Sequence, residues 1–476
     1  MAKRQSPKSI FLCLFAIALL AAAGVAQVPS PNSVLGFTPG DDRKVADWQQ
    51  IVNYFRKLDD ASSRVKVEEI GRSTNGNPMI VAFISDAGNI KRLDKYRQIN
   101  ARLADPRTIS SEEELSKLVK DGKTIVAISC SIHSTEIVAS QMSMNLAYEL
   151  ATAKDPATKE ILENTILLLI PSPNPDGIQI VADWYKKTLG TKSEGTSPPE
   201  LYHHYAGHDD NRDWFMMNLV ETRAVTKLFW QEWFPEVVYD VHQQGQNSSR
   251  FIIPPFYDPI NPRIAPTLLR EVGLIGYKMA ADLEARGIKG VATNSTYDTW
   301  WHGGFRSAPY YHNSIGILSE AASVQLMSPV TVKLEDLKRS RGVRGLADLT
   351  TPMTNYPDPW LGGEWHASDI NRIEMIASRG LLSLAAKYRE RYLRNFYDLG
   401  KANLTPNPKD PQAFYISAEQ NQPEAASRFI EILRWQGIEV RKPGSDMPAI
   451  FKRRGMDPLS VDLPKTGWIV FVDQPQ

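Results

Sequence analysis

Four short apolar runs, rich in β-branched residues and leucine, set the frame for this chain: residues 124–129, 165–170, 236–241 and 314–318. Each is shorter than a helix needs and apolar almost throughout, the pattern of a strand covered on both faces. Helical patterns lie among them, at 136–153, 219–233 and 264–286. Upstream, residues 47–57 predict a helix with Trp48, Ile51, Val52 and Phe55 on one face. Residues 65–70 and 79–84 read as strands, and Asn75-Gly76 between them is a hairpin signal. Strands alternating with helices predict an α/β fold: a mixed, mainly parallel sheet flanked by helices. In such sheets functional groups gather beyond the carboxyl ends of the strands.

The ends of the chain read differently. Lys3, Arg4 and Lys8 precede an apolar run at 10–23 and then small residues, the layout of a secretory signal peptide over residues 1–26. Cleavage is expected after Ala23 or Ala26, giving a secreted or periplasmic bacterial protein with no membrane span in the mature chain. Cys13 lies inside the apolar run, so Cys130 alone remains and an intramolecular disulfide is excluded. Residues 27–44 read as a linker and 45–350 as the main domain. Residues 351–402 read as a linker with a helical extension (helix at 369–393), and 412–476 as a partial α/β unit. In that last unit a strand at 413–416, a helix at 423–436 and a strand at 437–441 are few elements for an independent core, so the unit looks incomplete. Lys plus Arg total 55 against 54 Asp plus Glu, which argues against a nucleic-acid surface.

Three strand ends carry reactive residues. The first holds Cys130-Ser131-Ile132-His133-Ser134-Thr135-Glu136, an imidazole and a carboxylate three apart at a strand-to-helix junction. Zinc accepts both ligand types at about 2.0–2.2 Å, and catalytic zinc often uses two His, one Glu and a water. The second end carries His242. Its neighbour Asp240 is a candidate partner, although strand alternation is read here as turning it away. At the third, Glu320 follows an apolar strand and suits a general base. Singly these are weak signals: a chance H-x-x-E, a structural His and a solvated Glu are the ordinary alternatives. His203, His204 and His208 are read as a substrate-facing loop rather than a second metal site, and Trp300-Trp301 as packing.

In order, these segments resemble the zinc carboxypeptidases of the carboxypeptidase A type, over about residues 45–350. Asn174-Pro175-Asp176-Gly177 resembles the family's N-P-D-G turn. Asp210-Asn211-Arg212-Asp213-Trp214 resembles its N-R-N-W segment, and Ser295-Thr296-Tyr297 before Gly303-Gly304 its tyrosine loop. The resemblance implies one zinc ion on His133, Glu136 and His242, and Glu320 as general base. Asn211 and Arg212 would hold the free C-terminal carboxylate of a peptide substrate, with Tyr297 closing over it. Arg306 would line the specificity pocket and favour acidic side chains. Two departures stand out. Thr135 occupies a position that is often Arg in the family. No Arg lies between Gly177 and Asn211, where the family has an oxyanion-stabilising Arg; Lys186, or its neighbour Lys187, is the nearest cationic substitute. Two extra residues also precede the Gly pair. The expectation is a zinc metallocarboxypeptidase. The alternatives are a zinc amidohydrolase acting on peptidoglycan stem peptides or acylated amino acids, and a non-catalytic zinc- or peptide-binding module.

Overall fold

The structure is a computed structural model that describes residues 27–201, 209–257, 259–339, 345–452 and 455–476. The signal segment and His203, His204 and His208 lie outside the described residues.

The apolar runs become the centre of one eight-stranded sheet. Its strands are β1 (Val65–Arg72), β2 (Pro78–Ile84), β3 (Thr124–Cys130), β4 (Thr165–Ile170), β5 (Val237–Gln244), β6 (Phe251–Ile252), β7 (Val291–Ala292) and β8 (Ile315–Ala322). Across the sheet they run β1-β2-β4-β3-β5-β8-β6-β7. The central β4, β3, β5 and β8 are mutually parallel; β1–β2, β2–β4 and β8–β6 are antiparallel. The predicted hairpin is β1–β2, and its turn places Gly76 at φ 82°, a left-handed value that glycine adopts without strain.

Every residue of β3 and β4 is buried, because helices cover both faces. On one side α1 (Trp48–Ala61), α2 (Val138–Thr152), α3 (Pro175–Thr188), α4 (Pro266–Glu284) and α5 (Ala367–Lys387) pack on Val126 and Ile128. On the other, Ile125 and Ala127 meet Leu103, Val225, Phe229 and, from α6 (Arg389–Asn403), Leu393 and Phe396. Helix α1 starts where its sequence allows: Asp47 and Gln50 form a reciprocal capping box. Its face of Trp48, Ile51, Val52 and Phe55 is buried as the pattern predicts.

Several boundaries differ from expectation. β5 and β8 continue past their apolar runs, so His242 and Glu320 sit inside strands rather than after them. The helix expected from 136 begins at Val138, leaving Glu136 in the preceding turn. The helix expected over 369–393 is two helices meeting at Tyr388. The strand expected at 437–441 is a single bridge, Arg441 to Ile469. Strands Ala413–Ile416 and Trp468–Phe471 pair instead, as do Met447–Phe451 and Leu459–Leu463. Pro448 within Met447–Phe451 disguises that strand, since proline fits only edge strands.

Glu236, just before β5, is buried under the sheet. It accepts hydrogen bonds from Asn100 Nδ2 (2.8 Å) and Ile125 N (2.7 Å). Burial pushes its carboxyl up to about 8 from an ordinary 4.5. An acid whose pKa rises on folding costs nothing below its unfolded pKa, and its cost grows until pH reaches the folded pKa. The native state is therefore expected to lose stability through this group between pH 4.5 and about 8, by on the order of a few kcal/mol. Urea unfolding at pH 5 and pH 8 should show this loss in the native chain and a smaller one in Glu236→Gln. Equal slopes in the two proteins would mean that Glu236 is charged in the fold.

Candidate metal centre and adjoining cavity

The loop after β3 is built to bring two side chains together. Ser131 takes a left-handed φ of 50°, and its Oγ donates to Glu136 O (2.7 Å) and accepts from Ser140 N (3.0 Å). Glu136 N closes the turn on His133 O (2.9 Å). The N-P-D-G segment braces this loop from behind. Asn174 caps α3 through Gly177 N (3.0 Å) and donates from Nδ2 to Ile132 O (3.3 Å). Asp176 accepts from Ser73 Oγ, Asn75 N and Asn77 Nδ2, tying the β1–β2 turn to the same place. The N-P-D-G motif is therefore a scaffold for the H-x-x-E loop.

β5 supplies the third group. His133 Nδ1 lies 3.0 Å from Glu136 Oε1, and His242 Nδ1 lies 2.9 Å from Glu136 Oε2. Gln243 N donates to the same Oε2 (2.9 Å), and the Gln243 side chain accepts from Val138 N (3.0 Å) at the start of α2. One ligand atom each from His133, Glu136 and His242 lies within 4.8 Å of the others. Tetrahedral ligands on zinc are roughly 3.3 Å apart, so this spacing fits one ion.

The outward nitrogens are held as metal-ligating histidines require. His133 Nε2 is 3.1 Å from Asp209 Oδ1, and His242 Nε2 is 2.6 Å from Asp240 Oδ2. Burial opposes charge on these histidines, yet Glu136 and Asp209 raise His133 to about 10. Burial likewise opposes charge on Glu136, but the two facing imidazoles hold it at about 2. Three carboxylates around two imidazoles make a place that demands positive charge, and a divalent cation supplies it. The expectation that Asp240 turns away is corrected here. Residues two apart on a strand share a face, so Asp240 and His242 point the same way.

These three candidate ligands open onto a cavity of about 380 Å³ whose wall also includes Asn211, Arg212, Tyr297, Trp301, Arg306 and Glu320. Glu320 is the direct neighbour of His242 across the parallel β8–β5 pair. Asn211 is anchored by Phe305 N, which donates to its Oδ1 (2.8 Å), and Arg212 Nη1 donates to Asn211 O (2.9 Å). Arg306 is buried; it donates from Nη2 to Asp298 O and stacks over Phe256 (5.0 Å) and Tyr297 (5.8 Å).

Lys186 is not part of this group, which corrects its reading as the oxyanion cation. It lies in the last turn of α3, half-exposed, with Nζ 2.7 Å from Asp47 Oδ2. Helical phase carries it to the surface next to the α1 cap. Among the described residues, the cavity wall carries two arginines, Arg212 and Arg306, and no lysine.

Residues 51–250 match the family model described as zinc carboxypeptidase. That part of the chain, somewhat less than half of it, is similar to the zinc carboxypeptidases. The matched span contains all three metal-site residues together with Asn211 and Arg212; Tyr297, Arg306 and Glu320 lie beyond it. Among solved structures, the chain is similar to a metallo-carboxypeptidase from Burkholderia cenocepacia, at 14% identity over 72% of this chain and 67% of that one, with a TM-score of 0.41. It is also similar to carboxypeptidase A from Helicoverpa armigera (14% identity, 82% and 81% covered, TM-score 0.43). A third is a metallo-carboxypeptidase from Pseudomonas aeruginosa (15% identity, 72% and 68% covered, TM-score 0.44). No curated protein matches. Among the described residues, no helix is long and apolar enough to cross a membrane.

Proposed function

We propose that the chain is a zinc-dependent metallocarboxypeptidase that removes C-terminal residues from peptides. The observation that carries this reading is the convergence of His133, Glu136, His242, Glu320, Arg212 and Arg306 on one cavity. His133, Glu136 and His242 would hold the zinc ion, which when bound would polarise a peptide carbonyl and lower the pKa of a water. Glu320 takes a proton from the attacking water and passes it to the leaving amine. Arg212 presents a planar fork to the substrate's terminal carboxylate, with Asn211 beside it. Tyr297, buried at the cavity wall, would close over the bound substrate. One zinc ion per chain and export through residues 1–26 belong to the same proposal.

The test compares the purified chain with and without a chelator, on peptides with free and amidated C-termini. Zinc-dependent release of C-terminal residues from the free acids alone supports the reading. Cleavage of acylated amino acids but not peptides would make it an amidohydrolase, and zinc content without hydrolysis would make it a binding module.

Arg306 sets the expected preference. Its Nη1 is buried without a hydrogen-bond partner among the described residues, which suits it to an incoming acidic side chain. Arg306→Leu should lower kcat/KM for peptides ending in Glu or Asp by about a hundredfold relative to peptides ending in Leu. An unchanged ratio between the two substrates would remove Arg306 from the specificity pocket.

A further inference from the structure

The segment with two extra residues before Gly303-Gly304 puts an indole against the cavity. Trp301 lines the cavity wall together with Arg212, and the Arg212 guanidinium carbon lies 5.9 Å from the centre of its ring. The ring is wedged in place. A Cβ added at Gly303 would sit 2.3 Å from Trp301 Cζ2, so only glycine lets the indole lie flat there. Phe215 meets the indole edge-on at 5.7 Å. Trp301 N donates to the Asp298 carboxylate (3.2 Å), and Trp301 O accepts from Ser307 Oγ (2.6 Å).

The Arg212 side chain is exposed and, among the described residues, donates from Nη1 to the main-chain Asn211 O. A long exposed arginine samples many rotamers, and each carboxylate it binds must first select one. An aromatic face within about 6 Å attracts a guanidinium and narrows that choice. It also removes water from one side of the fork, which strengthens the pairing with an anion.

We propose that Trp301 is a positioning residue for Arg212, holding its guanidinium ready for the free carboxylate of a peptide. This rests on Arg212 being the carboxylate anchor. The indole does not touch the reacting atoms, so its effect falls on binding rather than on turnover.

The test uses the full chain in native form and as Trp301→Ala, Trp301→Phe, Gly303→Ala and Arg212→Gln. Each metal-free protein is titrated calorimetrically with an N-acetylated tetrapeptide ending in Glu and with its C-terminal amide. In Trp301→Ala the acid should bind about fivefold more weakly while the amide is unchanged. Gly303→Ala keeps the indole but displaces it, and should show the same loss; Trp301→Phe should restore most of the affinity. With zinc present, the loss should appear in KM with kcat preserved. An undiminished acid affinity in Trp301→Ala, or acid and amide weakening together, would overturn the inference. The Arg212→Gln protein separates the two levels. If it still prefers acid to amide, the carboxylate-anchor reading fails; if it loses that preference while Trp301→Ala keeps it, only the role of Trp301 fails.

Discussion

Replacing Glu320 with glutamine is expected to lower kcat by about 10³- to 10⁴-fold while KM and zinc content stay close to those of the native chain. Glutamine matches the carboxylate in shape but cannot accept a proton from water. Glu320 is buried, at 8% exposure, on a central strand of the sheet, so the substitution has little room to disturb its neighbours. The three metal-site residues are on other elements and keep their own supports in Ser131, Asp209 and Asp240. Steady-state kinetics on a peptide ending in Glu, paired with metal analysis of the same sample, separates loss of base from loss of metal. Retention of more than about a tenth of the activity would place the base elsewhere.

The second large effect is at His242. In His242→Ala, bound zinc should fall from one equivalent to a small fraction, because two ligands rarely retain the ion at neutral pH. The fold should suffer as well. Asp240 is fully buried, and its Oδ2 loses the imidazole 2.6 Å away. Leaving a buried carboxylate unpaired costs about 3–5 kcal/mol. Adding Asp240→Ala to the same protein should recover part of that loss, since the stranded charge goes too. Urea unfolding of the native, single and double variants gives this coupling directly. Equal destabilisation in the single and double variants would mean that Asp240 and His242 do not act as a pair.

Much of this was legible in the sequence, and the parts that were not have physical causes. Continuous apolar runs specify buried strands, and β3 and β4 came out within a residue of expectation. His133, Glu136, His242 and Glu320 were readable because their chemistry is scarce and each lies at or near a strand end. Asp209 was missed. It belongs to a loop whose path to His133 follows from tertiary packing, although an acid two residues before Asn211 was the available signal. Lys186 was misplaced because charge was matched without regard to helical phase. Strand lengths were underestimated because β5 ends in polar residues, His242, Gln243 and Gln244, while in β8 Ser319 and Glu320 interrupt the apolar pattern before Ala321 and Ala322. Apolar runs mark only the part of a strand whose neighbours are all apolar; β8 stays buried beyond it, through Ala322.

The pairing of Glu320 with His242 has a further consequence. The two stand side by side on hydrogen-bonded parallel strands, whose separation is about 4.8 Å in any sheet. The offset between the proposed base and its neighbouring candidate metal ligand is thus inherited from backbone spacing and does not depend on the long connection between β5 and β8. That connection can lengthen, shorten or change sequence, and so alter the pocket around the substrate, while the chemistry stays in register. The freedom ends inside β8. A slip of one residue would turn Glu320 to the opposite face and bring Ser319 or Ala321 to its place, neither of which can take up a proton. Variation in such a protein is expected to accumulate in its loops rather than in β8.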